Sequence, residues 1–381
     1  MQTSFIERRL SAWLMRQTST SGVRKVAQVG GAIGSELGNV RNDNQDKAVI
    51  FQTQDASGAS FSVAVVADGI GGMQDGAKCA ALGVAAFVSE FVRSAIQENS
   101  TPETWLSSAM RAANETVFLR YRGLGGTTFV AIITSQQAGT FWTSAGDSRL
   151  YGFANNKLTQ ISVDDTIAGQ LGKQGPVPNE HSKILQYVGM GKDFWPHVDR
   201  CNLPPEQLFL LTTDGVHYVA ENSDVISRIL QHSADAGVLA RRLVDLAKWC
   251  GGPDNATVAI LPSGRTVPLE KIEDFDALVV WDAFGELQLD LGRPPLRFGT
   301  ESSYQSQPKG LRLDRNENEG DPKLFETQLM PEEDAGNLGK VNPSTKKSKP
   351  RGRQPKDKAP EKVVEKAVVP QLDIKFSSKP E

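Results

Sequence analysis

Two apolar runs of strand length in this sequence end the same way, on an aspartate followed at once by glycine. FSVAVVAD closes on Asp68-Gly69, and LFLLTTD closes on Asp214-Gly215. Three further acids flank such runs: Asp147 after TFWTSAG, Asp46 just before KAVIF, and Asp254 in GGPDNATVAIL. A strand end holds a side chain rigidly yet lets it point into a shared cleft, and a following glycine lets backbone approach a ligand closely. Taken singly, each aspartate is a turn or helix-cap residue. The repetition of the pattern points instead to metal binding.

Carboxylates that converge as bare anions raise one another's pKa and destabilise the fold by several kcal/mol. Hard divalent cations resolve this, because Mg²⁺ and Mn²⁺ take oxygen ligands, few of them carboxylates, and keep several waters. The chain has four histidines (His181, His197, His217 and His232), none at zinc-like spacing with a cysteine or another histidine. A two-metal acidic centre acidifies a water and aims it at a phosphorus or carbonyl centre. Arg41, in GNVRNDNQD just ahead of Asn44 and Asp46, favours phosphorus, since a guanidinium clamps a phosphoryl group bidentately.

From Val26 to Leu261 the chain reads as folded. KAVIF, FSVAVVAD, TFVAIIT, GTFWTSAGD, SRLYGF, QLFLLTTD and ATVAIL read as strands, bounded by Gly, Asp and Asn. Helical spacing recurs over Ala77 to Gln97, Trp105 to Tyr121, Asp224 to Gln231 and Gly237 to Cys250. Strands in pairs with tight turns such as Ala154-Asn155-Asn156 indicate antiparallel sheet, and helices arriving two at a time indicate layers outside it. Residues 1–25 are read as an N-terminal arm with Phe5, Ile6, Leu10, Trp13 and Leu14 on one face, 26–262 as the main domain, and 263–292 as an appended hairpin. Apolar residues make up 39% of the 381 residues, low for a chain folded throughout, and the polar remainder concentrates beyond Arg293. Residues 293–381 are therefore expected to form a disordered charged tail. Its final QLDIKF echoes ELQLDL of the hairpin, as a peptide that binds a partner's strand edge would.

Three scattered cysteines (Cys79, Cys201, Cys250) argue against a disulfide framework and for a reducing, cytoplasmic setting. No run reaches the 18 apolar residues of a spanning segment. A formal charge of -3 gives no reason to expect nucleic acid as a partner.

Taken in order, GNVRNDNQD, VVADGIGGMQDG, GGTTFVAII, AGDSRLYGF, LTQISVDDT, LLTTDGV and GGPDNATVAIL resemble the bacterial form of the metal-dependent Ser/Thr protein phosphatases, the protein phosphatase 2C or PPM-type family, across roughly Ala27 to Leu261. The resemblance implies an α+β fold: a four-layer αββα sandwich of two antiparallel sheets flanked by antiparallel helix pairs. It also implies two Mn²⁺ or Mg²⁺ ions. Asp68 would bridge them, Gly69 would lend its carbonyl, Asp214 and Asp254 would hold the second ion, and Asp46 would contact metal directly or through water. Asp147 with Asp214 would hold a third, weaker ion, Arg41 would clamp phosphate, Asn255 would orient the loop of Asp254, and Gly126 and Thr127 would pack nearby. Gln45 stands where the family often has Glu, and Ile70 where some members carry a histidine proposed as general acid. The Gly- and Pro-rich stretch from Asp165 to Gly191 corresponds to the family's flap beside the site.

The resulting expectation is hydrolysis of phosphoserine and phosphothreonine on proteins by a metal-activated water, without a phosphoenzyme, opposing a bacterial Ser/Thr kinase. The alternative is a catalytically weak signalling adaptor whose tail recruits partner proteins.

Overall fold

The structure, a computed structural model, describes residues 4–172, 183–201, 208–218, 223–263 and 277–291. The tail expected over 293–381, with its charged runs and terminal peptide, lies outside the described residues, as does part of the expected flap.

Among the described residues, thirteen strands build two antiparallel sheets. One has six strands in the order β1 (Ser21–Val26), β2 (Gly31–Glu36), β11 (Ala256–Pro262), β10 (Leu208–Thr212), β7 (Arg149–Ala154) and β8 (Lys157–Gln160). The other has seven, in the order β13 (Glu286–Asp290), β12 (Ala277–Trp281), β3 (Asp46–Gln54), β4 (Ser60–Asp68), β5 (Phe129–Ser135), β6 (Gly139–Ala145) and β9 (His197–Arg200). The helices are α1 (Phe5–Leu14), α2 (Gly76–Ala95), α3 (Pro102–Tyr121), α4 (Ile167–Gln170), α5 (Asp214–His217), α6 (Ser223–Gln231) and α7 (Ala236–Trp249).

Strand alternation explains the layering. In β3, Val49 and Phe51 pack with α2 and α3, while Ala48 and Ile50 turn to the opposite face and meet Ile33, Leu150, Leu211 and Leu261 of the second sheet. The outer face of that sheet, with Leu210, Val258 and Ile260, packs on α6 and α7. The result is the four-layer αββα sandwich expected from the resemblance.

The ordered sheet begins earlier than the hydrophobic pattern suggests. SGVRKV and GAIGSE carry little apolar alternation, yet they form β1 and β2. The glycines of β2 serve close approach: a Cβ at Gly31 would stand 2.6 Å from the Ile260 carbonyl oxygen. The hairpin of β12 and β13 continues the seven-stranded sheet through Val280 and Trp281, which pair with Phe51 and Ile50. The arm is folded onto the domain as well. Leu10 and Leu14 are buried in the core beside α2, and the Arg16 guanidinium binds Asp282 at the hairpin turn with both carboxylate oxygens (2.8 and 2.9 Å) while lying over the Trp13 ring. The β7–β8 turn has Asn155 and Asn156 at φ +49° and +59°, the left-handed pair that a two-residue hairpin needs.

Candidate active site

Antiparallel register brings the acids together. Asp46 opens β3 and is the Cα partner of Asp68, which closes β4. The end of β4 lies beside the start of β5, and the end of β6 pairs with that same start, Ala145 against Phe129. Gly146, Asp147 and Ser148 make the crossing from β6 to β7. In the other sheet, Thr212 at the end of β10 pairs with Arg149 and with Val258, so Asp214 and the Asp254-Asn255 turn ahead of β11 fall at that same end. Asp46 and Asp147 are buried, and Asp68, Asp214 and Asp254 are half-buried at the cleft with Arg41 exposed at its mouth.

Short hydroxyl side chains fix these acids. The Asp68 carbonyl accepts from Thr127 Oγ1 (2.7 Å) and the Thr128 amide (2.8 Å), while Thr128 Oγ1 accepts from the Asp68 amide at 3.1 Å. Thr213 Oγ1 donates to Asp46 Oδ2 at 2.9 Å and itself accepts from the Thr257 amide at 3.0 Å. Asn44 Oδ1 accepts from the Asp46 amide (3.0 Å). Gly69 must be glycine, since a Cβ there would run into the Gly76 backbone. Asn255 does more than steady its own turn: its Oδ1 accepts from the Gln45 amide (2.8 Å) and its Nδ2 donates to the Leu37 carbonyl (2.9 Å), so it ties down both ends of the loop that carries Arg41. Arg41 Nη2 donates to Asp254 Oδ2 at 2.6 Å. The phosphate-clamp candidate and a metal-ligand candidate thus meet directly.

Burial is the largest cause of the electrostatic strain, and the neighbouring carboxylates add to it. Asp46 is pushed up to about 7, with Asp214 and Asp254 contributing. Asp147 is likewise raised to about 7 and Asp214 to about 6, and Asp68 is driven well above the usual carboxylate range by burial and by Asp46, Asp214, Asp147 and Asp254. Arg41 is held further into its charged form, chiefly by the hydrogen bond to Asp254.

This donor set fits hard divalent cations. Asp46 Oδ1 and Asp214 Oδ1 are buried without a hydrogen-bond donor, an arrangement that costs about 1–3 kcal/mol per group unless something else satisfies the oxygen. Among the described residues, no three Asp, Glu, His or Cys side chains already close on one point as ligands. Asp254 commits an oxygen to Arg41, and Asp46 commits one to Thr213.

Sequence reasoning missed three parts of the site. The hydroxyls of Thr213 and Thr128 are one: Thr213 directly precedes Asp214 and Thr128 lies 60 residues from Asp68, but Thr is common in any strand. Arg149, bound to Asp164 through Nε and Nη2 (2.6–3.0 Å), also went unremarked. So did Tyr218, on whose ring Arg149 bears and whose hydroxyl is pushed up chiefly by burial and next by Asp147. In the stretch expected as a flap, residues 183–191 run back beside the site, with bridges from Ile184 to Thr166 and from Val188 to Thr127.

A two-sheet sandwich with an acidic cleft at matched strand ends and an arginine at its mouth defines a phosphoprotein phosphatase of the PPM type. Comparison with known proteins agrees. The family model described as protein phosphatase 2C matches residues 38–248, more than half of the chain, and the chain belongs to that family. It is 25% identical over 246 residues to the serine/threonine phosphatase stp of Listeria monocytogenes serotype 4b, covering 61% of this chain and 95% of that protein. It is 26% identical over 245 residues to the serine/threonine protein phosphatase PstP of Mycobacterium tuberculosis, covering 60% of this chain and 44% of the relative. The PPM Ser-Thr phosphatase MsPP of Mycobacterium smegmatis, solved in complex with cacodylate, superposes with a TM-score of 0.51 at 25% identity over 61% of this chain and 98% of that one.

Proposed function

We propose that this protein hydrolyses phosphoserine and phosphothreonine on proteins with the help of Mn²⁺ or Mg²⁺, and opposes a Ser/Thr kinase in a bacterial cytoplasm. The observation that carries the reading is the gathering of five aspartates at one end of both sheets, two of them with an orphaned buried oxygen, beside an exposed arginine. The naming of the Listeria and Mycobacterium relatives as serine/threonine phosphatases supports the substrate class. Cacodylate, bound by the Mycobacterium smegmatis neighbour, is a tetrahedral oxyanion with the shape of a phosphoryl group.

Asp68, Asp46, Asp214 and Asp254 would hold two ions with the Gly69 carbonyl, and Asp147 with Asp214 a third. When bound, such ions acidify water and neutralise phosphoryl oxygens. The remaining work falls to the chain. Arg41 presents its guanidinium to the phosphoryl group, and Gly71 lies against it, since a Cβ there would touch Nη1 at 3.5 Å. Thr213, Thr127 and Thr128 keep Asp46 and Asp68 from turning away. Among the described residues no helix is long and apolar enough to cross a membrane.

The test is turnover of p-nitrophenyl phosphate and of a phosphothreonine peptide with Mn²⁺, with and without EDTA. Turnover that EDTA abolishes and Asp68→Ala removes is expected. Absence of turnover by the well-folded wild type would defeat the proposal and leave the adaptor reading in its place.

A further inference from the structure

The flap region and the loop of Asp147 are joined through one buried side chain that the chemistry above does not use. Asp165 makes five contacts. Its amide donates to the Gly146 carbonyl at 2.9 Å, and its Oδ2 accepts from the Gly146 amide at 3.0 Å, closing a ring around the residue just before Asp147. The same Oδ2 accepts from Gln186 Nε2 at 3.0 Å, and the Asp165 carbonyl accepts from the Leu185 amide at 2.7 Å. Oδ1 meets His197 Nε2 on β9 at 2.8 Å. Asp165 is only 4% exposed, whereas the His197 side chain is 39% exposed.

Gly146 explains why such a ring is needed. Its φ of +100° is open to few side-chain-bearing residues, and a Cβ there would stand 2.8 Å from Thr128 Cβ. A glycine in that conformation has wide backbone freedom. Left to itself, the Gly146-Asp147 peptide would not hold the Asp147 carboxylate in one direction. Two hydrogen bonds from one residue, one to each side of Gly146, remove that freedom. Asp165 in turn is held by β9 through His197 and by the returning flap segment through Leu185 and Gln186, whose Oε1 also accepts from the Trp195 amide at 2.7 Å.

We propose that Asp165 is a positioning residue for Asp147: it sets the direction in which that carboxylate is presented, and it links this setting to the segment 184–186 and to His197. The inference rests on the metal-dependent reading of the site, and it assigns Asp165 no contact with metal or phosphate. A purely structural aspartate would, when removed, lower stability and leave ligand binding by Asp147 unaltered in the protein that remains folded. A positioning aspartate alters one class of metal site selectively.

The experiment is a Mn²⁺ titration of the full-length protein, read by calorimetry and by the EPR signal of free Mn²⁺, for wild type, Asp147→Ala, Asp165→Ala and Asp165→Asn. Asp147→Ala identifies the Mn²⁺ class that depends on Asp147. Removal of a group that orients a metal ligand typically weakens affinity about 10–100-fold, so Asp165→Ala is expected to weaken that class by this factor and leave the other sites unchanged. Asp165→Asn keeps a carbonyl oxygen for the Gly146 amide and should recover most of the affinity. Wild-type Mn²⁺ binding by Asp165→Ala overturns the proposal. So does equal weakening of every class, and so does an Asp147→Ala protein that binds Mn²⁺ like wild type. Should Asp165→Ala fail to fold, Asp165→Ser is titrated in its place with the same readings. Failure of the wild type to hydrolyse p-nitrophenyl phosphate would count against the proposed function, and this test reads metal binding alone.

Discussion

The acidic cleft should make the metal-free protein measurably less stable at neutral pH, and Asp46→Asn should relieve it. Burial, with Asp214 and Asp254 nearby, raises Asp46 from the ordinary 3.8 to about 7. A group that binds its proton more tightly in the folded chain than in the unfolded one stabilises the fold at low pH. That stability is lost as pH rises from about 4 to about 7. Three units at 1.36 kcal/mol each set a ceiling of about 4 kcal/mol for this one group. Asparagine imitates the protonated acid in size and can still meet Thr213 Oγ1. In EDTA at pH 8, Asp46→Asn should therefore exceed the wild type by about 2–4 kcal/mol, a Tm rise of roughly 5–10 °C for a domain of this size. At pH 4 the two should coincide. Mn²⁺ at 100 times its Kd should then restore about 2.7 kcal/mol to the wild type, and much less to the variant. Paired thermal melts across pH, with EDTA and with Mn²⁺, measure all of this. Equal Tm values for the two proteins at pH 8 in EDTA would refute the reasoning.

Arg41→Ala should lower kcat/KM for p-nitrophenyl phosphate about 10²-fold, as loss of one transition-state donor does, with Arg41→Lys recovering only part because a point charge cannot grip two oxygens. Its melting temperature should barely move, since a pair as exposed as Arg41 and Asp254 contributes under about 1 kcal/mol. Gly215→Ala places a Cβ against the Asn255 carbonyl oxygen, so it should cost about 1–3 kcal/mol by overpacking and reduce turnover by displacing the Asp254-Asn255 turn; a melt and a p-nitrophenyl phosphate assay check both. Asp282→Ala removes the acceptor for Arg16 and for the amides of Phe284 and Gly285, so denaturant unfolding should show a loss of about 3 kcal/mol with kcat unchanged. Truncation after residue 291 should leave turnover of a small phosphoester at the wild-type level; a large loss would show that the tail contributes to the catalytic domain.

The parts of this molecule that were legible in its sequence are those where function breaks a local rule. A buried-looking strand that ends on an acid is such a break, and Asp68, Asp147 and Asp214 could be picked out without a structure because stability alone gives little reason to place a carboxylate there. The central strands and long helices were legible for the opposite reason, since their apolar periodicity obeys the rule throughout. What stayed hidden neither breaks nor obeys a local pattern. β1 and β2 carry glycines and polar residues because β2 must lie close to β11, a demand set by a neighbour more than 200 residues away. Thr213 and Thr128 look like ordinary strand threonines until register places their hydroxyls on Asp46 and Asp68. Asp165 lies one residue from Asp164 in the chain, yet the two do unrelated work: one grips Arg149, and the other joins β9, the returning flap segment and Gly146. No spacing within VDDT distinguishes them. The ligand candidates of such a centre can therefore be read from local chemistry, whereas the residues that aim the ligands become readable only once topology has chosen their neighbours.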